Sequence, residues 1–307
     1  MKAARIHNFG GPEVIVVEDV AVPVPGSGEV LVRVAATGVG PWDALIREGK
    51  SEMAPPLPFT LGSDLSGVVE AVGLGVTEFK NGDEVYGVTN PQFVGAHGEY
   101  AVASATMIAR KPVGLSHLEA ASAPVVAVTA WQMFHDYANV QARQTVLILG
   151  AAGNVGAYAV QLAANADLHV VALVGSKDFE YVRGLGAETV IDYHGNFESS
   201  VSPVDVVIDT VGGNTRDRSL QLLKVGGILV SSVSPTPLPS NSNVRTVFFY
   251  VEVTTDRLNT ISKLFDSKKL LPQVGTVLPM SQVRTAHEML AGKPHRRGKI
   301  VLQIPTS

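Results

Sequence analysis

The chain has 307 residues and no cysteine. Disulfides, thiolate nucleophiles and cysteine-held zinc or iron–sulfur sites are therefore excluded, and a reducing compartment fits. Charged residues make up only 17%, no long basic run occurs, and the net charge is −4. A surface for nucleic acid or an anionic membrane is not expected from such a balance. There is no run of the roughly 18 apolar residues a membrane span needs. The start, MKAARIHNFGGPEV, lacks the basic-then-apolar pattern of a secretory signal. The chain reads as a soluble cytoplasmic protein, with neither internal repeats nor a low-complexity linker.

Hydrophobic residues reach 46%, enough for two cores at about 150 residues each. Thirty glycines and 18 prolines point to many turns and short connections. Over the first ~110 residues, Met1–Ile6, Val14–Val20, Glu29–Thr37, Asp64–Val72 and Glu84–Val88 are short β-branched runs between turn clusters. They predict an irregular barrel. From Ser116 the texture changes. Ser116 and Glu119 have capping-box spacing, and strand-like and helix-like segments then alternate from Thr145 to Val251, which predicts βαβ units around a parallel sheet. The tail predicts a helix over Asp256–Ser267, a helix over Ser281–Leu290 and a last strand over Lys299–Ile304.

Within the alternating part, the apolar run from Val146 ends in Gly150-Ala-Ala152-Gly153-Asn154-Val155-Gly156, and a helix-like segment follows. Gly150 suits a tight turn, Gly153 lets backbone N–H groups approach a pyrophosphate, and Gly156 allows close helix–strand packing. The spacing is GxxGxxG rather than GxGxxG, and alone it is equally compatible with a tight strand-to-helix turn. Its place in a βαβ series favours the dinucleotide reading. At the end of the next strand an NAD site would carry an acid; here Val174-Gly175-Ser176-Lys177 offers a hydroxyl and an ammonium instead, donors suited to a 2′-phosphate and hence to NADPH. Lys177 could also be a solvated lysine, and Asp178 beside it the start of the next helix.

In their order and spacing, several segments resemble the zinc-free quinone oxidoreductase (zeta-crystallin-like) branch of the medium-chain dehydrogenase/reductase family. They are Leu57–Val69, Gly82–Gly87, Ala127–Gln132, the glycine turn, Val190–Tyr193, Asp209–Gly213 and Arg297–Leu302. The resemblance implies an α/β fold: a Rossmann doubly wound parallel sheet over residues 120–260, with a GroES-like, mainly β substrate domain from residues 1–119 and 261–307. It also implies roles for individual residues. Thr129 would lie near the nicotinamide end of the cofactor, and Ser176, Lys177 and Tyr193 at the 2′-phosphate. Thr210 and Val211 would lie over the ribose, with Ser231, Val233, Phe249, Tyr250 and Val251 in the segments lining the nicotinamide. Two subunits joined edge to edge through the strand at Val244–Val253 would make a homodimer.

Zinc-using relatives carry ligands where this chain has Gly40-Pro41 and Gly62-Ser63-Asp64. None of those positions is Cys or His, the ligands zinc prefers, so no metal is expected. Many relatives read Asn-Pro-x-Asp where this chain reads Gly40-Pro41-Trp42-Asp43. Pro41, Trp42 and Ser63 are therefore candidates for the substrate pocket, and no catalytic acid is named. The expected activity is NADPH-dependent hydride transfer to a quinone or an α,β-unsaturated carbonyl. The alternatives are an NADPH-binding sensor or structural protein with little turnover and an alcohol dehydrogenase-like enzyme.

Overall fold

A computed structural model of the chain describes residues 1–238 and 242–305. Its backbone contacts divide it into two compact units, one running to Val125 and resuming at Val253, the other Val126–Glu252. The boundaries differ by six to eight residues from those expected at 119/120 and 260/261. The reason is bonding at both junctions. A helix at His117–Ala121 buries Ala121 against Ala36 and Val301 of the first unit. Further on, Thr255 Oγ1 donates to the carbonyls of Ala105 (3.1 Å) and Ile108 (2.7 Å), and the Tyr86 hydroxyl donates to Leu258 O at 2.7 Å.

The first unit is mainly β. In chain order its elements are β1 (Lys2–Ile6), β2 (Ile15–Asp19), β3 (Glu29–Val39), α1 (Pro41–Arg47), β4 (Phe59–Thr60), β5 (Asp64–Val72), β6 (Glu84–Val88), β7 (Tyr100–Ser104), β8 (Ile108–Arg110) and α2 (His117–Ala121). Instead of a single ring, the strands make a three-stranded sheet, β2-β1-β4, and a seven-stranded sheet completed by the chain's last two strands. β3 organises the larger sheet because it is long enough to pair with β5, β7 and the last strand, Lys299–Gln303. Its alternate residues Val30, Val32 and Val34 face one core with Leu65, Val69, Val85 and Ile108, as the two-residue period of a strand requires. Each such side chain contributes about 1.5–3 kcal/mol by leaving water.

The second unit opens with α3 (Pro124–Gln132), whose first two residues belong to the first unit, and a π-helical turn. There follow β9 (Thr145–Leu149), α4 (Asn154–Asn165), β10 (His169–Val174), α5 (Phe179–Gly184), β11 (Thr189–Asp192), β12 (Val204–Asp209), α6 (Gly213–Ser219), β13 (Leu223–Ser231) and β14 (Arg245–Phe248). All six strands are parallel, in the order β11-β10-β9-β12-β13-β14. This is the Rossmann order 3-2-1-4-5-6. Val146–Leu149 are all fully buried, as a central strand covered on both faces must be. β14 lies at the sheet edge. The remaining elements, α7 (Thr255–Asp266), β15 (Val274–Pro279), α8 (Val283–Leu290) and β16 (Lys299–Gln303), return to the first unit. No described helix is long and apolar enough to cross a membrane.

The capping box read from sequence forms. Ser116 Oγ accepts from Glu119 N at 3.3 Å, and Glu119 Oε2 accepts from Ser116 N at 2.8 Å. Ser116→Ala should cost about 1 kcal/mol and lower the melting temperature measured by circular dichroism. An unchanged melting temperature would mean that α2 does not depend on its cap.

Candidate active site

In the second unit the strand order reverses between β9 and β12, and ligands of open α/β sheets bind at the carboxyl ends of strands at such a point. The ends meet there in register, Asp209 opposite Leu149. Gly150 takes φ +72°, and a Cβ on it would lie 2.6 Å from Val211 Cγ2 and 2.7 Å from Thr210 Oγ1. Gly156 is tighter still, because a Cβ there would lie 2.2 Å from the Gly150 carbonyl oxygen. Gly153 caps α4 without a side chain, donating its own N–H to Gly150 O at 2.9 Å. The first N–H groups of α4, starting at Asn154 and Val155, have no side-chain cap. They are the donors a pyrophosphate would take up.

A residue not singled out from the sequence, Asp209, builds the opposite wall. Fully buried, its carboxylate accepts from Val211 N (3.0 Å), Gly212 N (2.8 Å) and Ser231 Oγ (2.6 Å). Thr210 Oγ1 ties this loop to β9 by donating to Leu149 O at 2.8 Å. An acid at a strand end followed by Thr-Val-Gly-Gly was the available signal. Ser231 is also fully buried, its hydroxyl engaged with Asp209 and with Val233 N at 3.1 Å; its side chain orders the loop. Val211 and Val233 are exposed.

Among the other sequence-named residues, Thr129 is buried in α3. Phe249 is buried against Tyr137, ring centroids 4.5 Å apart. Tyr250 is 80% exposed and touches Phe248 edge-on; Val251 is half-buried and Ala152 partly covered. Ser176 and Lys177 form an exposed turn after β10. Tyr193 follows β11, its N–H donating to Val174 O at 3.1 Å and its ring 3.5 Å from the Cβ position of Gly175. Ser176, Lys177 and Tyr193 are thus brought to one corner.

The pocket candidates sit in the first unit. Trp42 Nε1 donates to Ser63 Oγ at 2.9 Å, and Lys299 Nζ lies 4.0 Å from the indole centroid, a cation–π geometry. The indole also lies over Gly40, where a Cβ would come within 2.4–2.6 Å of three ring atoms. Glycine at position 40 is therefore the counterpart of tryptophan at 42. Pro41 starts α1 and is exposed. Two surface hollows of this unit, one including Ser116 and Gln303 and one including Phe59 and Tyr100, contain none of these residues.

Beneath Trp42 lies a buried polar cluster that the sequence did not reveal. Lys299 pairs with Asp64 at 2.8 Å, both essentially unexposed. Asp43, also buried, accepts the Gly40 N–H at 2.7 Å, yet burial outweighs Lys299 and that bond and pushes its carboxyl up to about 7. Arg47 donates to His287 Nδ1 at 2.8 Å, to Gly10 O at 3.0 Å and to Glu48 at 2.7 Å. Burial holds His97 down to about 4 and His287 well below its ordinary value. His97 is a core residue, its Nε2 3.3 Å from Gly38 O. Among the described residues no group of three or more His, Cys, Asp or Glu is placed to hold a metal ion.

The cluster sets a pH dependence. Between about pH 4 and 6.5 the folded chain keeps His97 neutral, and burial shifts His287 in the same direction, whereas the unfolded chain protonates both; stability therefore rises with pH. Asp43 opposes this, since over the same window it keeps a proton when folded and loses it when unfolded. Asp43→Asn should steepen the rise by about 1.4 kcal/mol per pH unit, measured by denaturant titration from pH 4.5 to 6.5. Parallel profiles for the two proteins would show that Asp43 does not stay protonated in the fold.

Residues 26–150 match the alcohol dehydrogenase GroES-like domain family, and residues 185–302 the zinc-binding dehydrogenase family. The chain is 33% identical to a quinone oxidoreductase of Sus scrofa, covering 99% of this chain and 98% of that protein. It superposes on the quinone oxidoreductase of Coxiella burnetii with TM-score 0.90 at 32% identity, over 99% of both chains. A mycobacterial protein solved in complex with NADPH superposes with TM-score 0.88 at 28% identity, over 99% of this chain and 100% of that one. The chain belongs to the medium-chain dehydrogenase/reductase superfamily, in its quinone oxidoreductase branch.

Proposed function

We propose that the protein is an NADPH-dependent reductase that delivers hydride, without a metal, to a quinone or to the β-carbon of an α,β-unsaturated carbonyl. The observation that carries this reading is the glycine turn at the switch point, where Gly150 and Gly156 occupy places a Cβ would block and α4 presents uncapped N–H groups. The likeness to a protein solved with NADPH and to quinone oxidoreductases supports it.

When bound, NADPH supplies the hydride. The protein's part is to bind and orient. Asn154 and Val155 N–H groups would hold the pyrophosphate and Thr210–Val211 would cover the ribose. Thr129, Val233, Phe249, Tyr250 and Val251 would shape the nicotinamide end, and Ser176, Lys177 and Tyr193 would read the 2′-phosphate. Pro41, Trp42 and Ser63 would border the acceptor, with the indole fixed by Ser63 and Lys299. A hydride accepted by a quinone or enone leaves a delocalised oxyanion, which takes its proton from water. No side-chain acid is required, and a Lewis acid is not needed to polarise so electron-poor an acceptor. With residues 1–119 and 261–307 as the substrate domain and 120–260 as the cofactor domain, the proposed acceptor residues and cofactor residues fall in different domains.

NADPH oxidation should be seen with a panel of quinones and enones and should survive a chelator; no turnover with any of them would favour a sensor, and chelator-sensitive activity restored by zinc would overturn the metal-free chemistry. Lys177→Ala should weaken NADPH roughly tenfold and leave NADH nearly unchanged in fluorescence titrations. Equal losses would mean that Lys177 does not read the phosphate.

The edge strand β14, followed by exposed Tyr250, offers unpaired backbone groups to a second copy, and a homodimer completes the proposal. Light scattering at micromolar concentration should give about twice the 32.3 kDa chain mass. A fully active monomer would exclude it.

A further inference from the structure

The corner that holds Ser176, Lys177 and Tyr193 is organised by a carboxylate. Asp192 ends β11 and pairs in register with Val174 at the end of β10. Its Oδ1 accepts the backbone N–H of His194 at 2.9 Å and His194 Nδ1 at 2.7 Å. The His194 bonds, with a smaller contribution from the Ser176 backbone N–H, hold its carboxyl below the usual range, so it is an anion at neutral pH. One side chain thus ties together the turn after β10 and the turn after β11.

The bonds to Asp192 also fix the imidazole. Nδ1 is committed as a donor, and Nε2 has no protein partner among the described residues. The ring lies against Tyr193, centroids 3.9 Å apart and planes tilted by 31°. Beside Gly175, Tyr193 Cε1 lies 3.5 Å and His194 Cε1 4.0 Å from the Cβ position. His194 therefore stands with Tyr193 against the segment that carries Ser176 and Lys177, with two-thirds of its side chain exposed. The charged groups around it are Asp192 on its own segment, Lys177 and Asp178 after β10, and Arg218, which donates to Gly195 O at 2.6 Å and pairs with Glu198.

An ionised Asp192 is a poor neighbour for a phosphate unless a cation stands between them. We propose that His194 is that cation: a cofactor-specificity residue whose protonated ring donates through Nε2 to the 2′-phosphate of NADPH, with Asp192 as the positioning residue that orients it. The inference rests on the NADPH reading above. It adds a prediction that Lys177 alone does not make: with Nδ1 committed to Asp192, Nε2 donates only in the doubly protonated ring, so the preference for the phosphorylated cofactor depends on pH.

The test uses the whole protein and two probes that differ only in the 2′-phosphate, adenosine 2′,5′-bisphosphate and adenosine 5′-monophosphate, by titration calorimetry at pH 6.5 and 8.5. The phosphate's own ionisation is common to wild type and variant. His194→Gln should reduce the preference for the bisphosphate about tenfold at pH 6.5 and less than about twofold at pH 8.5, with the monophosphate affinity unchanged. Asp192→Asn should reduce the preference at pH 6.5 as well. If the wild type binds both nucleotides equally at both pH values, the NADPH reading falls and this inference with it. If the wild type discriminates and His194→Gln discriminates equally at both pH values, the NADPH reading stands and the role of His194 is wrong.

Discussion

A side chain at position 156 would place its Cβ 2.2 Å from the carbonyl oxygen of Gly150, well inside any tolerable contact. That single close approach lets α4 start directly above the end of β9. It also leaves the uncapped end of a three-turn helix facing the point where the sheet reverses its strand order. The rest of the second unit serves this arrangement. β9 is central and buried on both faces, which fixes the height of the turn. Asp209 fixes the loop across from it by accepting three hydrogen bonds. Anion binding at a helix N-terminus draws on dipole and N–H donors together, and neither requires a charged side chain. A chain with only 17% charged residues can build such a site.

The first unit is organised by a different constraint, the burial of charge. Lys299 and Asp64 form a pair with almost no exposure, and Arg47 is 2% exposed. Breaking such a pair by removing one partner costs about 3–5 kcal/mol, although the intact pair is often no more stabilising than an apolar replacement. The return for this arrangement is position. Lys299 comes from the last strand and Asp64 from β5, and the ammonium also lies on the Trp42 ring at the start of α1. The indole is thereby oriented by groups from two other, widely separated stretches of sequence.

Where local chemistry decides the outcome, the sequence was readable. The βαβ alternation, the Ser116 cap and the glycine turn follow from residue types a few positions apart. Boundaries were less so. The strand expected at Val244–Val253 is ordered as Arg245–Phe248. β7 and β8 were not distinguished, because runs as short as Ile108–Arg110 carry too little pattern. What the sequence could not convey was pairing across distance. Arg47 and His287 are 240 positions apart, and nothing near either residue announces the other. Ser231 illustrates the same limit within a site: its hydroxyl donates to Asp209, 22 positions earlier.

The account's central claim is that the Gly150–Gly156 turn receives a dinucleotide pyrophosphate. Amide hydrogen exchange of the intact protein with and without NADPH tests it at the residues concerned. The account predicts slowed exchange at Asn154–Gly156 and Val211–Gly212 on NADPH addition, with the strands β1 and β2 unchanged. Saturating NADPH that leaves the amides of 153–156 exchanging as before would contradict it.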